Sequence, residues 1–193
     1  MRILRTSEYR QMPWKNGGGV TTEIAIAPPL ASVADFDWRI SMATVASDGP
    51  FSRFDGIDRT LTVLSGTGLV LEVEGETPVR MTPTSEPFAF PGDAATSARL
   101  IAGAVTDFNV MTRRGRWTHS VENLSMNGAH VLPVATEVLV IFCREGEITP
   151  DKSSVLHAHD AALIEASAYP AEISIAGSGE ALVVRLSQTL SAE

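Results

Sequence analysis

Cysteine is almost absent: Cys143 stands alone among 193 residues, so no intrachain disulfide can form and a reducing compartment is expected. It sits at the end of the apolar run Val138-Leu139-Val140-Ile141-Phe142, which predicts an inert buried thiol and not a nucleophile. No apolar stretch approaches the ~20 residues needed to span a bilayer. Met1-Arg2-Ile3-Leu4-Arg5 lacks the apolar core of a signal peptide. A cytoplasmic protein without a membrane partner is therefore expected. Basic runs are missing too. The net charge is −8, and the densest cationic patch, Arg113-Arg114-Gly115-Arg116, is too small for a nucleic-acid footprint. Long stretches of helical periodicity are also lacking, which excludes a mainly helical fold. With 44% hydrophobic residues the chain has enough apolar material for a real core and does not read as disordered.

What is present is strand signal. Short runs rich in Val, Ile, Leu and Thr recur between Gly, Pro and Asp turns, the pattern of an all-β protein. One short helix is expected near the N-terminus, with Thr6 or Ser7 as N-cap, Glu8 to Gln11 following and Pro13 as the stop. From Val20 to Ala27 the residues alternate, with Val20, Thr22, Ile24 and Ile26 on one side and Thr21, Glu23 and Ala25 on the other. In Asp37 to Met42, Trp38, Ile40 and Met42 oppose Arg39 and Ser41. In Val105 to Arg113, Asp107, Asn109, Met111 and Arg113 share a face, while Phe108 and Val110 point away. Leu61 to Val73 reads as a hairpin turning at Gly66-Thr67-Gly68.

The second half repeats this layout loosely. Glu137 to Cys143 followed by Arg144-Glu145-Gly146 echoes Leu61 to Gly68, and Ala181 to Ser187 echoes Phe108 to Arg113. The period is that of a small β barrel, and closing each sheet would remove exposed edges. The expected architecture is two tandem antiparallel β barrels, residues 1–115 and 116–193, the second including a connector at 116–136.

The most informative local feature is Pro13-Trp14-Lys15-Asn16-Gly17-Gly18-Gly19, running directly into Val20-Thr21-Thr22-Glu23-Ile24. Consecutive glycines cost backbone entropy on folding, so a compact chain keeps them for a use. Flanked by an indole, a cation and an amide, they read as a binding loop; the alternative is a tight corner at a strand entry.

Met12 to Glu23, Asp37-Trp38-Arg39-Ile40-Ser41, Gly49-Pro50-Phe51-Ser52-Arg53-Phe54, Arg59-Thr60-Leu61, Phe90-Pro91-Gly92-Asp93 and Asp107 to Arg113 resemble the HutD/Ves family. The matches run in order along residues 7–116, with a weaker echo to the C-terminus. The resemblance implies a bicupin fold, in agreement with the repeat. It also implies an association with histidine utilisation, in which members look like accessory or regulatory proteins and not pathway enzymes.

Many cupins hold a metal through a His-x-His, a Glu and a later His. At the matching place this chain has Asp58-Arg59-Thr60-Leu61, and Asn109 occupies the later strand. Arginine is no metal ligand, so the first barrel is expected to hold neither metal nor other cofactor. It offers Lys15, Arg39, Arg59 and Arg113 with Asn16, Thr21, Ser41 and Asn109. Arginine forks bind carboxylates bidentately, and Glu23 and Asp107 are placed to balance buried cations. The expected ligand-binding set is Trp14, Lys15, Asn16, Gly17, Gly18, Thr21, Glu23, Arg39, Ser41, Arg59, Asn109 and Arg113, around a small anionic metabolite. The competing reading makes these residues internal ion pairs or solvated strand positions. Trp38 fits the core, in phase with Ile40 and Met42, whereas Phe51 and Phe54 either cover the barrel mouth or pin their loop.

The second half carries His157-Ala158-His159 and Glu165. The repeat places this pair at the turn equivalent to Phe90-Pro91-Gly92-Asp93, and its spacing to Glu165 is one residue too long for the usual cupin motif. Surface or turn histidines are expected there, and His119 and His130 belong to the connector. The leading expectation is a metal-free binding protein for a small carboxylate, such as urocanate or a formylated glutamate, governing histidine utilisation. One alternative is a metal-independent enzyme using Glu23 or Asp107 as general base beside Lys15 or Arg39. Another is an interaction scaffold, with the second barrel as the face of a possible homodimer.

Overall fold

A computed structural model describes residues 1–14, 17–151, 154–168 and 171–189. The strands are β1 (Arg2–Leu4), β2 (Arg10–Pro13), β3 (Gly19–Ala27), β4 (Trp38–Val45), β5 (Gly49–Pro50), β6 (Ile57–Ser65), β7 (Leu69–Val73) and β8 (Val79–Met81). They continue as β9 (Phe88–Pro91), β10 (Thr96–Leu100), β11 (Val105–Arg113), β12 (Trp117–Pro133), β13 (Val138–Thr149), β14 (Ala161–Glu165) and β15 (Glu172–Gln188). The protein is all-β, and helical structure among the described residues is confined to single 3-10 turns at Thr6–Glu8 and Ala166–Ala168. The chain divides into two units, Arg10–Trp117 and Met1–Tyr9 with Thr118–Glu193.

In the unit Arg10–Trp117 a six-stranded sheet runs β2-β3-β4-β11-β6-β9 and a four-stranded sheet runs β5-β10-β7-β8. Their apolar faces meet: Leu61 and Val63 of β6, Phe90 of β9 and Val105 of β11 pack with Leu69, Leu71 and Val73 of β7, Met81 of β8 and Ala98 of β10. Burying a side chain of this size stabilises the fold by about 1.5–3 kcal/mol. Neither sheet closes on itself among the described residues, which corrects the expected barrel; the layers are joined by packing and not by a continuous ladder.

The expected Leu61–Val73 hairpin is likewise replaced. β6 and β7 belong to different sheets, so Gly66-Thr67-Gly68 is a corner between layers. Both glycines have the positive φ angles, 94° and 112°, that such a reversal needs.

The other unit is built on one sheet, β1-β14-β13-β15-β12. Leu139, Ile141, Cys143 and Ile148 of β13 pack with Ala162 and Ile164 of β14 and Ile173, Ile175, Ala181 and Val183 of β15. Arg144-Glu145-Gly146 stays within β13, which shifts register between Cys143 and Glu145. The strand continues through it because Gly146 and Gly179 sit opposite one another and a Cβ on either would strike the facing backbone. The stretch expected as a connector is β12, a strand at the edge of this sheet.

The N-terminus corrects two expectations. Arg2, Ile3 and Leu4 pair with Leu163, Ala162 and Ala161, so the first nine residues group with the C-terminal unit and not with residues 10–115. The expected helix is one 3-10 turn at Thr6–Glu8, with Arg5 at its N-cap making no side-chain cap bond. Arg10 to Pro13 extends as β2 because its backbone pairs with Glu23 to Val20, a ladder that outweighs weak local helix preference.

Candidate functional site

Three adjacent strands of the six-stranded sheet build a polar wall inside the unit Arg10–Trp117. The register aligns Arg39 of β4 with Met111 of β11 and Arg59 of β6, then Ser41 with Asn109, then Ala43 with Asp107. Strand alternation turns all of them to one side. They line a cleft of about 980 Å³, with Trp14 and Thr21 on one flank and the loop residues Phe51 to Asp55 on another. Arg39, Ser41, Arg59, Asp107 and Asn109 are all buried. A buried polar row of this kind is costly unless each member is paired.

Arg59 is the centre of the wall. Its guanidinium lies 5.2 Å from the Phe51 ring, 5.7 Å from Phe54 and 5.2 Å from Phe90, so aromatic faces replace its hydration. Nη2 donates to Asn109 Oδ1 at 2.7 Å, and Nη1 reaches Ser52 O at 3.4 Å. Nε is buried without a partner. Burial lowers the Arg59 pKa to about 10, with Asp107 opposing that shift and Arg39 adding to it.

Asn109 is a relay. While its Oδ1 accepts from Arg59, its Nδ2 donates to Asp107 Oδ1. The other carboxyl oxygen, Asp107 Oδ2, is buried with no hydrogen-bond partner. Desolvation pushes Asp107 up to about 7, against the pull of Arg59 and the Asn109 bond. Each buried polar atom left unpaired costs on the order of 1–3 kcal/mol.

Arg39 is held differently. Nε donates to Glu23 Oε2 at 2.8 Å, while its terminal nitrogens make no hydrogen bond among the described residues. Glu23 reaches it because β3 shifts register between Glu23 and Ala25. The same bulge reverses the alternation expected beyond it. Ile26 joins the cluster of Phe36, Ile57 and Met111, on the side of the sheet that carries Arg39.

The remaining expected residues separate into contacts and supports. Trp14 donates Nε1–H to Thr21 Oγ1 at 2.8 Å, and both line the cleft. Arg113 lines it as well, but its Nε and Nη2 are spent on the carbonyls of Phe36 and Ala34, at 2.9 and 3.1 Å. Gly17 and Gly18 are not cleft-lining residues. They belong to a turn closed by Trp14 N–H to Gly19 O at 2.9 Å and Gly17 N–H to Trp14 O at 3.0 Å. At Gly19 a Cβ would strike the Thr44 carbonyl and press on the Trp14 ring at 3.0 Å, so the loop needs glycine there for close approach. Lys15 and Asn16 lie outside the described residues.

Other expectations meet a definite geometry. Trp38 is buried and lies off the cleft. The arginines after β11 are engaged: Arg114 bridges Asp58 and Asp93, and Arg116 pairs with Asp37 at 2.8 Å. His157 faces Glu147 at 3.4 Å on an exposed surface, and His159 stacks on Phe142. Among the described residues no three His, Cys, Asp or Glu side chains gather as a metal site. Cys143 is buried, and desolvation pushes its thiol up to about 11, which leaves it protonated and unreactive.

Known proteins share this sequence and fold. An uncharacterized 21.2 kDa protein in the hutC 3' region of Pseudomonas putida is 41% identical over 111 residues, 58% of this chain and 57% of that protein. Protein Ves of Citrobacter koseri is 41% identical over 114 residues, 56% of this chain and 58% of that protein. The chain thus spans little more than half the length of the curated relatives it matches. Over the whole fold, HutD from Pseudomonas fluorescens SBW25 superposes with a TM-score of 0.86 at 32% identity, covering 97% of this chain and 98% of that one. PA5104, a conserved protein of unknown function from Pseudomonas aeruginosa PAO1, gives 0.84 at 31%, covering 96% and 98%. At 12% identity the bacterial pirin YhhW of Escherichia coli, solved with nickel(II), gives 0.65, covering 96% and 97%, and shares the cupin-like fold alone. The HutD family profile matches residues 6–183, and the chain belongs to the HutD family.

Proposed function

We propose that this protein binds a small carboxylate in the cleft of residues 10–117 and acts as a metal-free sensor or governor of histidine utilisation, with urocanate or a formylated glutamate as candidate ligands. One observation carries the reading. Two buried arginines, Arg39 and Arg59, face one cleft beside the Ser41 hydroxyl and the Asn109 amide, and Arg39 still has terminal donors to give. Two guanidinium groups facing an aromatic-lined cleft suit a carboxylate, because Arg39 keeps its terminal donors and a guanidinium fork can hold two carboxylate oxygens. Family membership supports the link with histidine utilisation. The two units are read as the two cupin-like halves of a cytoplasmic bicupin. Calorimetric titration of the metal-free protein with urocanate and with formylglutamate tests the function. Saturable binding that weakens when Arg39 or Arg59 becomes alanine supports it. Absence of binding at millimolar concentration rejects it.

The position of Asp107 favours a second reading. A buried carboxyl that titrates near neutrality is suited to general acid–base work, so the same cleft would serve a metal-independent enzyme acting on a carboxylate. Turnover of a candidate ligand that is lost in Asp107→Asn, with binding retained, would favour that reading over the first.

A further inference from the structure

Each of the two buried arginines of the cleft has an acidic side chain close to it without a ligand. Arg39 is paired with Glu23 at 2.8 Å. Arg59 is linked to Asp107 through Asn109, which accepts from the one and donates to the other. Arg113, only partly buried, lines the same cleft on the backbone carbonyls of Phe36 and Ala34, and Arg53 and Asp55 line it from the loop after β5. Among the described residues these are the charged groups that line the cleft, together with Glu23 beside Arg39. Arg39, Arg59 and Asp107 are the buried ones, and with the half-buried Glu23 they form an inner set of two bases and two acids. An incoming carboxylate would be a third acid beside these two bases, with Arg39, Arg59 and Asp107 all buried. An uncompensated buried charge is among the costliest features a protein can hold.

The structure offers one place for a compensating proton. Glu23 is tied to Arg39 by a short charge-assisted bond. Asp107 lines the cleft, makes no direct ion pair among the described residues, and keeps its Oδ2 buried without a hydrogen-bond partner. We propose that Asp107 is the proton-accepting and specificity-determining residue of this site: a carboxylate binds together with one proton, and Asp107 Oδ2–H then donates a hydrogen bond toward the guest. The balance is simple. The ligand enters as an anion, a solvent proton bonds to Asp107 Oδ2, and the inner set returns to two positive and two negative charges. No bond of the ligand is made or broken. The upward displacement of Asp107 by desolvation in the empty site is in the same sense, and a neighbouring anion raises it further. Such a site selects a guest with a hydrogen-bond acceptor beside its carboxylate and disfavours one that presents an N–H to the same oxygen. The inference rests on the carboxylate-binding reading.

Formate serves as the probe, since its carboxyl is ionised throughout the neutral range and contributes no titration of its own. Calorimetry of the full chain in two buffers of different ionisation enthalpy, at about pH 8, counts the protons exchanged. Uptake approaching one proton per formate is expected, with affinity falling about tenfold per pH unit above neutrality. Asp107→Asn should bind with no proton exchange and with little pH dependence. Formate binding by the wild type without uptake, or with release, overturns the proton role while leaving the carboxylate site standing. So does undiminished uptake in Asp107→Asn. No binding of formate at either pH 6 or pH 8 overturns both. If Asp107→Asn does not fold by circular dichroism, the wild-type proton count decides by itself.

Discussion

The two units use strand alternation to opposite ends. In Arg10–Trp117, β4, β6 and β11 present Arg39, Ser41, Arg59, Asp107 and Asn109 to an open cleft. In the C-terminal unit the sheet of β13, β14 and β15 presents Leu139, Ile141, Cys143, Ala162, Ile164, Ala181 and Val183 to a sealed core. The same pleat that gathers hydrocarbon in one place gathers donors and acceptors in the other. Hydrocarbon stabilises by burial alone. The polar wall leaves Arg59 Nε and Asp107 Oδ2 without a hydrogen-bond partner among the described residues, each at a cost on the order of 1–3 kcal/mol.

Ile141→Ala is expected to have the largest effect on the contrast. It opens a void in a fully buried position of the C-terminal core and should lower stability by about 2–5 kcal/mol in chemical denaturation. Carboxylate affinity of the folded protein should stay unchanged. A loss of affinity equal to that of a cleft variant would erase the distinction between the units.

Arg59→Ala comes next. It removes the cation that Phe51, Phe54 and Phe90 surround and leaves Asn109 Oδ1 without its donor. Carboxylate binding should weaken by about 2–3 kcal/mol, roughly a hundredfold, in a calorimetric titration. A smaller cost of about 1–3 kcal/mol, read in thermal unfolding, is expected for Gly19→Ala. The added methyl meets the Thr44 carbonyl and the Trp14 ring, and the change should shift Trp14 fluorescence.

The subtlest expectation concerns pH. Asp107 is held protonated up to about 7 in the folded chain, against a reference value of 3.8. Between those values the folded state keeps a proton that the unfolded state has released. Its contribution to stability is therefore present below about pH 4 and is lost as pH rises toward 7. Asp107→Asn should flatten that fall in denaturation curves taken across the window. An equally steep fall in the variant would assign the effect to another group.

Much of this was legible from residue order. Period-two alternation in Trp38 to Met42 and Val105 to Arg113 already separates the apolar face from the polar one, because neighbouring strand side chains must point to opposite sides. The parts that were not legible depend on partners distant in sequence. Arg10 to Pro13 has helical possibilities until Val20 to Glu23 supplies its ladder. Gly66-Thr67-Gly68 looks like a hairpin until β7 finds β10 and β8. The long β12 strand lacks regular alternation, and much of it is solvent-exposed, so no hydrophobic rhythm marks it. The bulge beyond Glu23, which decides that this carboxylate meets Arg39, leaves no trace in composition. Asp107 was visible as a candidate base, but its unpaired oxygen and the aromatic enclosure of Arg59 arise only when β6, β9 and the loop at Phe51 to Phe54 come together.

A crystal structure of the protein soaked with urocanate tests the central claim most directly. The ligand carboxylate is predicted within hydrogen-bonding distance of the Arg39 and Arg59 guanidinium groups, with Asn109 and Asp107 in the surrounding wall. Ligand bound in the C-terminal unit, or in the cleft with its carboxylate turned away from both arginines, would contradict the account.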